Sequence, residues 1–163
     1  MLLLLQIILC CLLYLALVKC AVRDSGRNCL YFYPQEFLDE AQRRGIIADK
    51  DTEMRKGKRF MTVFCLAIFV ALLAIIAGWN RVTDLKTAYW QAYLFLVVMN
   101  WFDGIVIDRL WVSRGKIWRI EGMEGVPYVK PWKTVLIKRG AATVLYLFIA
   151  AAVAGLVVLL GKL

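Results

Sequence analysis

Residues 90–108 read WQAYLFLVVMNWFDGIVID, an apolar stretch of membrane-spanning length that carries Asp103 in its second half. A helix needs about 20 mainly apolar residues to cross roughly 30 Å of hydrocarbon, and this stretch meets that length. An ionised side chain near the bilayer centre costs roughly 2.5–3.5 kcal/mol on insertion scales, so it usually faces other helices or water and has a partner. The stretch therefore predicts a membrane-spanning helix with a polar site inside the membrane.

Three further apolar runs have the same length. They are residues 1–18, 60–79 and 140–161, and the run around Asp103 covers residues 89–111. The chain of 163 residues is 62% hydrophobic, above the roughly 45–50% of soluble domains. We therefore expect an all-α membrane protein, a bundle of four transmembrane helices forming one integral membrane domain over residues 1–163. The first run is interpreted as a retained anchor, because Lys19 follows it instead of a small-residue cleavage site.

Basic residues are distributed unevenly between the two sides of this bundle. Nearly all of them lie in residues 19–59 and 109–139, and the opposite side holds only Arg81, Lys86 and Lys162. Positive loops stay in the cytoplasm, so we expect a protein of the cell membrane with both termini outside and with loops 19–59 and 112–139 cytoplasmic. The clustered basic residues, with a net charge of +9 for the chain, then face anionic headgroups of the inner leaflet, so we expect the bilayer as partner and no nucleic acid.

The connections between the spans also carry local signals. Pro34, Glu36 and Gly45 predict the start, the acidic first turn and the end of a short cytoplasmic amphipathic helix. Asp49 opens a second helix that we expect to continue into the second span, although Gly57 disfavours an unbroken helix there. Residues 112–139 are rich in glycine, proline and tryptophan, which indicates a turn-rich loop held against the inner leaflet.

The third span supplies the first set of candidate binding residues: Asn100, Asp103, Asp108 and Arg109. At 100° per residue Asp108 lies roughly 140° from Asp103, so the two carboxylates are not expected to form a close pair. Asn100 and Asp103 either bind a ligand, a proton or a lipid headgroup, or hydrogen-bond another helix and neutralise a buried arginine. Asp108 is interpreted as an interfacial ion-pair member. Its candidate partners are Arg109, Arg114 and Lys138.

The loop supplies a second, weaker set. Arg119, Glu121 and Glu124 alternate with Gly122 and Gly125, a combination that suits phosphate binding or acid–base work and equally suits a folded corner. The chain has no histidine, and its cysteines lack metal-site spacing, so we expect neither a metal nor a cofactor. No catalytic residue can be assigned from these patterns.

Small residues recur at helical spacing in two spans. The second span has Ala67, Ala71, Ala74 and Gly78, and the fourth has Ala150, Ala151, Ala154 and Gly155. Such stripes let a neighbouring helix approach closely. They indicate packing within the chain or contact with another copy or another membrane protein.

The segment from Asn100 through Asp108 and Trp111 to Arg119 and Glu124 resembles a pattern in uncharacterised small integral membrane proteins of Firmicutes. In those proteins an N-W-[FY]-D-x-x-x-[IL]-D-x-x-W helix leads into a basic segment and an R-I-x-G-T-E-like turn. The similarity covers roughly residues 95–140, and this chain departs from it at residues 112–114. The resemblance implies no known activity. It implies that Asn100, Asp103, Asp108, Arg119 and Glu124 belong to one unit.

Three functions remain open from the sequence. The first is a non-enzymatic membrane component, either an accessory or interaction subunit or a small binding module, with Asn100 and Asp103 as its intramembrane site. The second is a membrane enzyme acting on a lipid or lipid-linked substrate at the inner leaflet, which requires a groove between the third helix and the Arg119 loop. The third is a proton- or ion-coupled transporter subunit in which Asp103 reaches water from both sides.

Overall fold

The computed structural model describes residues 1–23 and 25–161. The main helices are α1 (Leu2–Val22), α2 (Gln35–Arg43), α3 (Lys50–Trp79), α4 (Leu85–Arg114) and α5 (Trp132–Leu160). Two short 3₁₀ helices, Gly26–Phe32 and Lys116–Trp118, lie in the connections. No strand occurs in the described part of the chain, and the predicted all-α class is confirmed.

Four of these helices, α1, α3, α4 and α5, are long and apolar enough to cross a membrane, as the four apolar runs predicted. α4 and α5 pack along each other, α1 contacts α4, and α3 contacts α5. The helices extend beyond the apolar runs, since α3 begins at Lys50 and α5 at Trp132. Hydropathy marks the part of a helix that suits lipid, and polar residues continue the same helix past that limit.

Apolar side chains form two separate cores. The bundle core lies among the spans and includes Leu72, Ile76, Phe95, Val153 and Val157. The second core joins one end of the bundle to a region that we call the cap, formed by residues 25–49 and 115–131. Its buried members include Val22, Leu30, Phe37, Leu38, Ile107, Trp118 and Met123. The cap is therefore a packed structure at one end of the bundle.

The amphipathic helix of the cap forms as predicted. α2 begins directly after Pro34, has Glu36 in its first turn, and is followed by Gly45 at a φ of 72°. This left-handed conformation favours glycine after a helix end. One face of α2 is buried, through Phe37, Leu38 and Ala41.

Gly57 does not interrupt α3. Asp49 caps the helix by accepting hydrogen bonds from the backbone N–H groups of Asp51 and Thr52, and the α-helix runs on to Leu73. Gly57 is buried, and a Cβ atom there would lie 2.6 Å from the Cβ of Tyr31. The glycine thus permits the close approach of the first 3₁₀ helix to α3, which the sequence pattern did not reveal.

The two small-residue stripes have different environments. Ala150 and Ala154 of α5 are fully buried in the bundle core. The stripe on α3 is exposed along its length, at Ala67, Ala71, Ala74 and Gly78. Packing within the chain therefore accounts for the α5 stripe at Ala150 and Ala154, whereas the α3 stripe lies on an exposed part of its helix.

Candidate functional site

The third span changes its helical geometry at Asp103. Residues Asp103–Trp111 form a π-helix, whereas Leu85–Phe102 are α-helical. In a π-helix the hydrogen bonds run from residue i to i+5, so residues five positions apart lie on the same side. Asp103 and Asp108 are five positions apart. The expectation that the two carboxylates lie on different faces was wrong, because it assumed an α-helix throughout.

Both carboxylates contact one guanidinium group. Nη2 of Arg139 lies 2.5 Å from Oδ2 of Asp103 and 2.7 Å from Oδ2 of Asp108. Nζ of Lys130 lies 2.9 Å from the other oxygen of Asp108. Two carboxylates are thus matched by two cations, and this balance offsets the cost of removing the charges from water. Arg114 and Lys138, predicted partners of Asp108, are not its ion-pair partners.

Arg139 reaches this position from the first part of α5. Its Nη1 donates to Oδ1 of Asn100 at 3.3 Å, and Nδ2 of Asn100 donates to the backbone carbonyl of Arg139 at 3.0 Å. A Cβ atom on Gly104 would lie 2.8 Å from Cγ and from Nε of Arg139. A glycine one residue after Asp103 therefore leaves the space through which the arginine side chain crosses α4.

Tyr14 connects the first span to the same group. Its hydroxyl donates to Oδ1 of Asp103 at 2.8 Å. Hereafter the ionic cluster means Asp103, Asp108, Lys130 and Arg139 together with their neutral partners Tyr14 and Asn100. It joins α1, α4 and α5, so the interpretation in which Asn100 and Asp103 contact another helix and neutralise a buried arginine describes the contacts found.

Arg109, the fourth candidate on the third span, lies beside the ionic cluster without contacting its carboxylates. Its Nη1 donates to the backbone carbonyl of Lys130 at 2.7 Å, and its guanidinium lies 4.6 Å from the centre of the Trp132 ring. These contacts hold the segment that carries Lys130 against α4. Arg109 is therefore a positioning residue for Lys130 and not the partner of Asp108.

The loop candidates occupy a different part of the molecule. Arg119, Glu121 and Glu124 are exposed in the cap and line a cavity of about 520 Å³ that includes Phe37 and Tyr128. Oε1 of Glu124 accepts a hydrogen bond from the backbone N–H of Gly122 at 3.1 Å. Backbone N–H groups, of Glu124 itself and of Gly122, lower the pKa of this carboxyl.

The structure therefore joins Asn100, Asp103 and Asp108 of the unit implied by the resemblance, and it places Arg119 and Glu124 elsewhere. Sequence reasoning missed Arg139, Lys130 and Tyr14. Arg139 directly precedes the fourth apolar run and was counted among the basic residues at the membrane surface. A charge at the boundary of a span was the available signal, because long basic side chains can turn inward as well as outward.

A groove of about 380 Å³ opens beside the ionic cluster. Tyr14, Asn100, Asp103 and Arg139 form its polar end, Tyr146 of α5 adds a hydroxyl-bearing ring to the lining, and mainly apolar side chains of α3, α4 and α5 form the rest. Those include Met61, Phe64, Ile68, Phe69, Leu72, Leu96, Met99 and Ile149. Its mouth lies on the exposed side of α3, where the side chains of Met61 and Leu66 are 46% and 61% exposed. The groove therefore opens sideways at the level of the spans.

The volume of this groove falls within the roughly 300–1,000 Å³ of small-molecule sites, which are mostly apolar with a few polar groups. Among the described residues, no group of three or more histidine, cysteine, aspartate or glutamate side chains is arranged to hold a metal ion. No family model, curated protein or solved structure matches this chain. The resemblance to small membrane proteins of Firmicutes consequently stays a prediction.

Proposed function

We propose that this chain is a non-enzymatic, multi-pass protein of the cell membrane that binds the apolar chain of a lipid-like amphiphile in the groove between α3, α4 and α5. The observation that carries the proposal is the composition of the groove, which is apolar along its length and polar at one end. An amphiphile has the same division. Its chain would lie between the spans, and its polar end would face Asn100 and Asp103.

The dimensions of the groove suit a chain lying along the bundle. Met61 and Leu72 mark its two ends on α3, roughly 16 Å apart along the axis at about 1.5 Å per residue. Burying apolar surface stabilises a complex by roughly 25 cal/mol per Å² when that surface leaves water. A ligand that enters the groove from the bilayer gains less binding free energy than this, because its chain was already in an apolar environment. Close packing and the polar contacts must therefore account for its preference for the groove over the bilayer.

The arrangement of charge supports an orientation for this site. The excess of Lys and Arg in residues 19–59 and 109–139 supports, under the positive-inside rule, a cytoplasmic cap with both termini outside. Lys162, predicted for the opposite side, lies outside the described residues. The ionic cluster is at the cap end of the bundle, so the polar end of the ligand would lie toward the inner leaflet.

An enzyme acting on lipid has less support than binding. That hypothesis required a groove between the third helix and the Arg119 loop, with Arg119 holding a phosphate. The groove found here is bounded by α3, α4 and α5, and Arg119 lies instead on the cavity of the cap. Ion transport also has less support. It requires a path from Asp103 to the side of the bundle opposite the cap, and in that direction the bundle core contains the buried apolar side chains of Ile76, Phe95 and Val153.

The test uses the full chain in lipid nanodiscs with a single-chain amphiphile that carries a photoactivatable diazirine at mid-chain. We expect cross-links, mapped by mass spectrometry, to concentrate on Phe69, Leu72 and Ile149. Ile68→Trp should reduce them several-fold because it fills the groove. Val70→Trp, on the exposed side of the same helix, should leave them unchanged. Labelling spread evenly over the lipid-facing surfaces of all four spans, or unaffected by Ile68→Trp, would contradict the proposal.

A further inference from the structure

The hydrogen bonds already made within the ionic cluster indicate which polar group of a ligand would fit the polar end of the groove. The groups that line it are Tyr14, Asn100, Asp103 and Arg139. Nη2 of Arg139 already serves both carboxylates and its Nη1 contacts Asn100, whereas its Nε has no hydrogen-bond partner and is enclosed against Gly104. The hydroxyl of Tyr14 already donates to Asp103. The donors of Arg139 and Tyr14 at this end of the groove are therefore either engaged within the protein or, in the case of Nε, closed off from a ligand.

The carboxylate of Asp103, by contrast, can still accept hydrogen bonds from a ligand. An ionised carboxylate has two oxygens with about four lone-pair sites. Oδ1 of Asp103 accepts from Tyr14 and Oδ2 from Arg139, so each oxygen can accept once more. The Asp103 side chain is 21% exposed, compared with 9% for Asp108 and 11% for Arg139. Asp103 is thus the most accessible charged group of the cluster, and it offers acceptors to whatever occupies the groove.

The charge balance limits the ligand further. Asp103 and Asp108 are matched by Lys130 and Arg139, so the cluster has no excess charge to offset that of a headgroup. A phosphate or carboxylate entering here would meet the carboxylate of Asp103 and a guanidinium whose Nη2 is already shared between Asp103 and Asp108. A charged group without a partner costs several kcal/mol to remove from water. An anionic headgroup is therefore disfavoured at this position.

We propose that the groove takes amphiphiles whose polar end is an uncharged hydroxyl group, donated to Asp103, and that it disfavours phosphate- and carboxylate-ended ligands. The inference rests on the proposed function, because it presumes that the apolar part of the groove holds a chain. The chemistry is shared by long-chain alcohols and by acylglycerols. These two ligand classes differ in the size of the polar end, since only the acylglycerol carries a second polar branch beside the hydroxyl. Comparing one probe of each class therefore distinguishes them.

The experiment compares diazirine probes that share one chain and differ only at the end: a primary alcohol, its methyl ether, the phosphate monoester, the carboxylate and a monoacylglycerol. Each competes for the groove of the full chain in nanodiscs. A hydrogen bond to a charged group contributes enough that we expect the alcohol to bind about tenfold more tightly than the methyl ether. The phosphate and the carboxylate should bind more weakly than the alcohol as well.

Two variants of opposite effect locate the preference at Asp103. Asp103→Asn removes the anionic acceptor and should reduce the alcohol-to-ether ratio toward one. Tyr14→Phe removes the internal donor to Oδ1 and should keep or increase that ratio, because the ligand hydroxyl can take its place. For each variant, binding of the alcohol and of the ether is measured on the same protein and expressed as a ratio. A loss of folded protein lowers both values equally, so a changed ratio reports a change in selectivity for the polar end of the ligand.

The outcomes are distinct. Equal binding of alcohol and ether within the groove would overturn the hydroxyl inference and leave the proposed function standing. Stronger binding of the phosphate would overturn it in the same way and would identify the cluster as an anion site. A fall in the ratio of similar size in Tyr14→Phe and Asp103→Asn would also count against it. Absence of groove labelling by every probe would remove both proposals together.

Discussion

Two polar clusters hold the bundle, one near each end, and they differ in what they can do. Near the loop between α3 and α4, Asn80 exchanges amide hydrogen bonds with Gln6 at 2.7 and 3.1 Å and donates to Gln91 at 2.8 Å. Near the cap, Arg139 binds the two carboxylates of α4. Each cluster ties α1 to the rest of the bundle, at Gln6 in one case and at Tyr14 in the other.

The comparison shows that polar residues inside a bundle do not by themselves make a site. The three amides pair with one another, carry no charge, and do not line the groove. The ionic cluster is also internally matched, yet Asp103 borders the groove and retains acceptor capacity. Position beside a cavity and unused hydrogen-bonding capacity, more than polarity, distinguish the candidate binding site from the structural contact.

The largest effect should come from removing the cation shared by the ionic cluster. Arg139→Met leaves Asp103 and Asp108 without it, and breaking a buried ion pair in this way costs about 3–5 kcal/mol. Denaturant titration of the reconstituted protein measures the loss in free energy of unfolding. Lys133→Met is the matched control, since Lys133 is exposed on the same helix and should change stability by less than about 0.5 kcal/mol. Similar losses in both variants would show that the ionic cluster contributes no special stability.

A smaller effect should follow from crowding Arg139 without removing it. Gly104→Ala places a Cβ 2.8 Å from the arginine side chain, and such overpacking costs about 1–3 kcal/mol. In Gly140→Ala the new Cβ would meet nothing within 4 Å, so that control should be neutral or stabilised by up to about 1 kcal/mol. The same unfolding measurement tests both. A stable Gly104→Ala protein would mean that Arg139 can be displaced at little cost.

The smallest of the three effects is expected at the amide cluster. Gln6→Leu removes the contacts between Gln6 and Asn80 and leaves Asn80 bonded to Gln91, so we expect a loss of about 1 kcal/mol. Groove labelling should not change, because Gln6 does not line the groove. If Gln6→Leu destabilised the protein as much as Arg139→Met, or abolished labelling, the distinction between the two clusters would fail.

The sequence predicted the fold well because the strongest signals are local. Apolar runs of spanning length fix the number of helices, and Pro34, Glu36 and Gly45 together delimit α2. The continuation of α3 from Asp49 into the second span was predicted, whereas the length of α5 was underestimated, because a helix continues through polar residues once it has been started. Gly57 is a similar case, since its packing against Tyr31 depends on a contact between segments distant in the chain.

The site was predicted only in part. Asp103 and Asn100 were identified because a carboxylate in an apolar stretch needs a partner. Their arrangement with Asp108 was not, since no local pattern marked the π-helix that brings the carboxylates together, and Arg139, which packs against Gly104, comes from a distant part of the chain. Tyr14 lies in a run that reads as a plain anchor, so its hydrogen bond to Asp103 has no local signal.

One feature of α3 links distant parts of the molecule. This helix of 30 residues contacts Tyr31 at Gly57, near the cap. Further along, from Met61 to Leu72, it forms one wall of the groove. Because α3 is one continuous helix, a tilt that widened the groove would also move the end that begins at Lys50. A ligand bound as proposed would then act on the packing of Tyr31 at Gly57 as well as on the groove itself.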